Sequence, residues 1–191
     1  MEFTLYYHGE LRSNGDVRHK HQIRKEFHKQ LQVLWKQHPL NLYQSYLLKE
    51  QHDSWQPETD IPWVSLIFPQ KQFEFAALIS EKLNLHAELE VFMLQPAEPG
   101  KILTQAADID NRLKTLFDAL QKPDDNQIPE DEPEEGENPF LCVLENDSLI
   151  TNVSIRTGRL LEPVEHSSEV RLFIHIKVRR TQFTLSNADF A

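Results

Sequence analysis

Two short acidic blocks carry the residue types and spacings best suited to chemistry. The first reads Asp108-Ile109-Asp110-Asn111-Arg112-Leu113-Lys114 and runs on to Asp118. Asp108 and Asp110 stand two residues apart where a loop is expected to lead into a helix. Residues at i and i+2 do not share a helix face, so the two carboxylates converge only if Asp108 is still extended. Lys114 lies four residues past Asp110, one turn along the same face. The second block is Glu145-Asn146-Asp147-Ser148. If the fold sets Asp147 beside Asp108 and Asp110, three carboxylates make a hard-oxygen site of the kind that binds Mg²⁺ or Mn²⁺. A cation held there polarises a phosphoryl oxygen and generates hydroxide from water, and a nearby lysine stabilises the added negative charge. Each piece also has an ordinary reading. Asp before a helix is a common cap, Asp110 and Lys114 form a routine i,i+4 pair, and Glu145-Asn146-Asp147 suits a polar turn.

The positioning elements follow from periodicity. Phe3 to Tyr7 reads as a strand ended by Gly9 and Asn14-Gly15. Ile23, Phe27, Leu31, Leu34 and Trp35 mark one helical stripe over 21–38, closed by Pro39. Residues 39–62 look irregular, 63–68 suits a strand, and 75–83 suits a short helix. Residues 86–94 and 170–178 alternate as strands, with 140–144 and 149–155 as further candidates. Asp110 to Leu120 is a helix, with Leu113, Leu116, Phe117 and Leu120 as its buried stripe and Asp110 placed to cap it. This order predicts an α+β fold, a small mixed or antiparallel sheet packed with helices, in a single domain over 1–191.

Charge is unevenly spread. Of 191 residues, 30 are acidic and 20 are Lys or Arg, for a net charge of −10. Residues 122–139 hold eight acids, one lysine and four prolines, and so supply −7 of that total. With little apolar surface to bury, this insertion is expected to be a solvated, disordered loop. Residues 12–38 carry seven bases and two acids, a local charge of +5. The acidic total therefore does not exclude a nucleic-acid partner. No run of apolar residues is long enough to span a membrane and the N-terminus lacks a signal-peptide pattern, so the expected location is the cytoplasm and no membrane partner is expected. The lone Cys142 sits in an apolar run and suits a buried structural thiol. His19, His21 and His28 match no common zinc spacing and are expected to belong to an exposed basic patch.

The run Asp-Ile-Asp-Asn-Arg-Leu-Lys-Thr-Leu-Phe-Asp-Ala-Leu, followed by Glu-Asn-Asp-Ser and a strand, resembles the RusA family of Holliday-junction resolvases. Asp108, Asp110, Asn111, Lys114 and Asp118 match the family's first block, and Asp147 matches the second acid of its later pair. The likeness covers roughly residues 86–180. It implies a RusA-like core and a homodimeric, Mg²⁺- or Mn²⁺-dependent endodeoxyribonuclease acting on branched DNA. Asp108, Asp110 and Asp147 would be the metal ligands and Lys114 would assist catalysis. The first acid of the later pair is Asn146 here. Either one ligand is lost or Glu145 replaces it, and a catalytically inactive RusA-related nucleic-acid-binding or interaction protein is the alternative function.

Overall fold

The computed structural model describes residues 1–49, 64–96 and 106–190, with side chains in the last segment from residue 109. Ten elements position the acidic blocks. They are β1 (Glu2–Glu10), α1 (Val17–Leu34), α2 (Leu40–Leu47), β2 (Ile67–Gln70), β3 (Phe73–Ile79), β4 (Leu85–Gln95), α3 (Ala106–Leu120), β5 (Phe140–Leu144), β6 (Ile150–Arg159) and β7 (Glu169–Arg180). Among the described residues the strands form a four-stranded sheet ordered β1-β7-β4-β6 and a three-stranded sheet ordered β2-β3-β5. Antiparallel and parallel pairings occur in both. The architecture is α+β, as expected from the sequence.

Period-2 alternation builds the larger sheet. Leu89, Val91 and Met93 of β4 point inward with Leu172, Ile174 and Ile176 of β7, and all are buried. The outer edge of β1 is closed by a side chain of α1. Gln30 accepts from the Tyr6 amide at 2.9 Å and donates to the Tyr6 carbonyl at 2.7 Å. α1 begins at Val17, earlier than the apolar stripe alone suggests. Asp16 starts it by accepting from the His19 amide at 2.8 Å. Its Ile23, Phe27 and Leu31, with Trp35 beyond its end, enter one hydrophobic core with both sheets and α3. Because β1 pairs along its length with β7, the first strand and helix belong to the same core as residues 86–180.

Three local expectations change. Residues 73–79 are a strand, not the start of a helix. Residues 75–79 are all buried, and such a run lacks the polar face that separates strand from helix. Leu40–Leu47, expected to be irregular, is helical; Leu40 and Leu47 are seven residues apart and both buried. The three histidines are buried instead of exposed. His21 packs against Phe73 and Phe140, and His28 lies 4.5 Å from Phe140 between ring centroids. Residues 50–63, from the segments expected to be irregular and then a strand, lie outside the described residues.

The acidic insertion also differs from the expected solvated loop, because it is tied to the body at several points. Ile128 is buried with Phe73, Phe75, Phe140 and Cys142. Gln72 donates to the Pro129 and Asp131 carbonyls at 2.9 and 2.8 Å. Lys25 reaches Glu134 at 2.7 Å and Glu137 at 2.9 Å, and Gln32 donates to the Gly136 carbonyl at 3.0 Å. Apolar count alone misses anchors of this polar kind. Cys142 is buried as expected, and burial pushes its thiol up to about 12.

Candidate functional site

The first acidic block lies inside α3. The helix begins at Ala106, so Asp108 is helical instead of extended and Asp110 is an interior residue, not the cap. Two residues at i and i+2 of a helix do not share a face, so the geometry that would converge Asp108 and Asp110 at a loop end is not the one observed. The side chain of Asp108 lies outside the described residues. Asp110 and Lys114 are both exposed and stand one turn apart, as the spacing predicts. They form no ion pair with each other among the described contacts.

α3 is held by α1 through polar contacts that the sequence reading missed. Asp118, part of the matched block, is buried; its carboxylate takes Lys20 at 2.7 Å and a weaker bond from Gln121 at 3.4 Å. The guanidinium of Arg24 is wholly buried. It donates to the Asp118 carbonyl at 2.7 Å and to the Gln121 carbonyl at 3.2 Å. Carbonyls at a helix C-terminus have no partner within the helix, and Arg24 supplies one from outside. Burial lowers the pKa of this arginine, and Cys142 and Asp118 beside it pull the other way. Further along, the Gly15 amide donates to the Thr115 hydroxyl at 3.0 Å, and that hydroxyl donates to the Asn111 carbonyl at 3.1 Å. The β1–α1 turn thus lies against the middle of α3. A basic i,i+4 pair, Lys20 and Arg24, flanking an apolar helix stripe is the signal that points to such a clamp.

The second block sits between β5 and β6. Asp147 opens a short 3₁₀ turn, Asp147–Leu149, that leads directly into β6, and it is exposed. Asn146 caps that turn by accepting from the Ser148 amide at 3.1 Å, and it also accepts from the Ser148 hydroxyl. Glu145 is occupied elsewhere. Its carboxylate accepts from the Ser80 hydroxyl at 2.5 Å and the Glu81 amide at 3.1 Å, while its own amide donates to the Ile79 carbonyl at 2.9 Å. It fastens the end of β3 to the end of β5.

Among the described residues, no group of three or more His, Cys, Asp or Glu is assembled to hold a metal ion. The carboxylates of Asp110 and Asp147 have no hydrogen-bond or ion-pair partner among those residues, and neither has the ammonium of Lys114. No described helix is long and apolar enough to cross a membrane. No family profile, curated protein or solved structure matches the chain.

Proposed function

We propose that the protein is a Mg²⁺- or Mn²⁺-dependent endodeoxyribonuclease that hydrolyses phosphodiester bonds in branched DNA such as Holliday junctions, as a homodimer, in recombination or repair. One observation carries the reading. Within the two acidic blocks, Asp118, Glu145 and Asn146 are each engaged in holding the fold. Asp110, Lys114 and Asp147, three of the four residues that the RusA resemblance marks for chemistry, are exposed and have no such contact among the described residues. A structural cap or turn residue would be expected to use its side chain locally. These three keep theirs available.

The donor chemistry of Asp110 and Asp147 suits a hard cation, although the described residues do not assemble three ligands around one point. Carboxylates without a hydrogen-bond donor or cation beside them retain their lone pairs for a ligand. Asp108, Asp110 and Asp147 would hold the ion, and because α3 sets Asp108 and Asp110 on different faces, joint binding requires the first turn of α3 to unwind. When bound, it supplies Lewis-acid polarisation of the phosphoryl oxygen and a water acidic enough to attack at neutral pH. Lys114 neutralises charge on the phosphate from the helix face it shares with Asp110. Arg24 and Lys20 act one step away, fixing α3 so that its exposed face stays in place.

The deciding experiment compares cleavage of a four-way junction with cleavage of linear duplex, in Mg²⁺ and in EDTA, for the wild type and Asp110→Asn. Metal-dependent cleavage that disappears in Asp110→Asn is the expected result. Absence of metal-dependent cleavage of any DNA, or equal activity in Asp110→Asn, removes the catalytic claim.

A further inference from the structure

α1 carries a second pattern on the side away from the core. Arg18, Gln22, Lys25, Lys29, Gln32 and Lys36 recur at intervals of four, three, four, three and four residues. That spacing places them along one face of the helix and of the turn that follows it. Lys25 and Gln32 are half-buried and the other four are exposed. The row holds four cations, two amides and no acid. From Arg18 to Gln32 it runs about 21 Å, and a duplex carries roughly a dozen phosphates over that length.

The row is already in contact with an anion, and the anion belongs to the chain. Lys25 is clamped by Glu134 and Glu137 at 2.7 and 2.9 Å. Gln32 and His28 both reach the Gly136 carbonyl at 3.0 Å. Glu137 is buried and its second oxygen accepts from the Glu134 amide at 2.8 Å, which shapes this stretch into a compact strap. A cavity of about 250 Å³ lies between strap and helix, lined among others by Gln22, Lys25, Lys29 and Glu135. Glu26, beside the row, takes Lys29 at 2.6 Å.

We infer that this face of α1 binds the phosphate backbone of DNA, and that the strap 134–137 occupies its middle until DNA displaces it. The inference rests on the nuclease reading for the identity of the polyanion. Charge complementarity selects the occupant: evenly spaced cations with amide donors between them suit a regular line of phosphates. A carboxylate strap competes for the same ammonium groups. Glu134 is the part most easily moved, since its side chain is 75% exposed while that of Glu137 is 9% exposed.

Binding of a labelled four-way junction in EDTA, where cleavage does not intervene, tests this at several salt concentrations. The triple variant Arg18→Gln, Lys29→Gln, Lys36→Gln should bind about tenfold more weakly, with a salt slope flatter by about 2.7, near 0.9 for each lost phosphate contact. Glu134→Gln should bind about threefold more tightly, the scale of one partly exposed ion pair. Circular dichroism confirms that the variants are folded; none of the substituted side chains is fully buried. Wild-type affinity and slope in the triple variant overturn the inference while leaving metal-dependent cleavage untouched. Unchanged affinity in Glu134→Gln overturns the strap's role. If neither the wild type nor Glu134→Gln binds any DNA, both the inference and the nuclease reading fall. Binding of anionic vesicles through this row, without DNA binding, assigns a different occupant and also overturns it.

Discussion

Arg24→Met is the sharpest test of how the protein holds α3. The guanidinium is wholly buried and donates at 2.7 Å to the Asp118 carbonyl and at 3.2 Å to the Gln121 carbonyl. These carbonyls have no helical partner. The Lys122 amide, which would serve the Asp118 carbonyl in a longer helix, donates instead to Leu144 at 2.8 Å. Two hydrogen bonds from a charged donor contribute about 1.5–3 kcal/mol each. Methionine fills similar space and removes a buried charge, so part of the guanidinium's desolvation cost is recovered. The net loss expected is about 3 kcal/mol, a large share of the roughly 5–15 kcal/mol that stabilises a domain. Urea unfolding followed by fluorescence of the buried Trp35 measures it. Arg24→Lys should lose about half as much, because a single ammonium lacks the fork that reaches two carbonyls. A loss below about 1 kcal/mol for Arg24→Met would refute the clamp and, with it, the account of how α3 is fixed.

Three further outcomes are expected. Burial lowers the His21 pKa to about 4 from an ordinary value near 6.5, so the unfolded chain takes up the proton first as pH falls. Its stability contribution is full above pH 6.5 and declines towards pH 4, by about 2 kcal/mol between pH 6.5 and 5; urea midpoints should fall over that range, and less steeply in His21→Gln. Glu145→Gln should retain metal-dependent cleavage while Asp147→Asn loses it, because Glu145 is engaged with Ser80 and Glu81 and Asp147 is not; equal loss in a junction-cleavage assay would make Glu145 a ligand. Gly15→Ala should destabilise by about 1–3 kcal/mol in thermal or urea unfolding, because a Cβ there would meet His19 at 2.6 Å and Thr115 at 2.9 Å.

Much of the fold is legible where one face of an element is polar. β4 and β7 alternate cleanly, and α1 and α3 carry apolar stripes with charged flanks, so periodicity finds all four. Periodicity carries no such signal where both faces of an element are buried. Phe75-Ala76-Ala77-Leu78-Ile79 has no polar side, and strand and helix then look alike. The site divides in the same way. Spacing alone places Lys114 one turn from Asp110, since that relation is local. Whether Asp147 serves α3, and that Glu145 serves β3, depends on how strands far apart in sequence are joined. Spacing also cannot tell that the helix starts at Ala106, ahead of Asp108, because the signal nearest to it was Asp110 as a cap.

The two charged runs, +5 over residues 12–38 and −7 over 122–139, look like independent surfaces in the sequence. In the fold they meet at Lys25, Glu134 and Glu137. This changes what the net charge of −10 implies. Two of the eight acids in that run, Glu134 and Glu137, are placed to compete within the chain for a cation that a phosphate backbone would use. A short anion offers too few charges to replace two carboxylates held at high local concentration by the chain itself. A duplex offers many phosphates in a row and can engage Arg18, Lys29 and Lys36 before Lys25 is released. The strap therefore raises the length of polyanion needed for binding and works as discrimination against small phosphates. On this argument free nucleotides should compete poorly with a junction for the wild type, and better once Glu134 is neutralised.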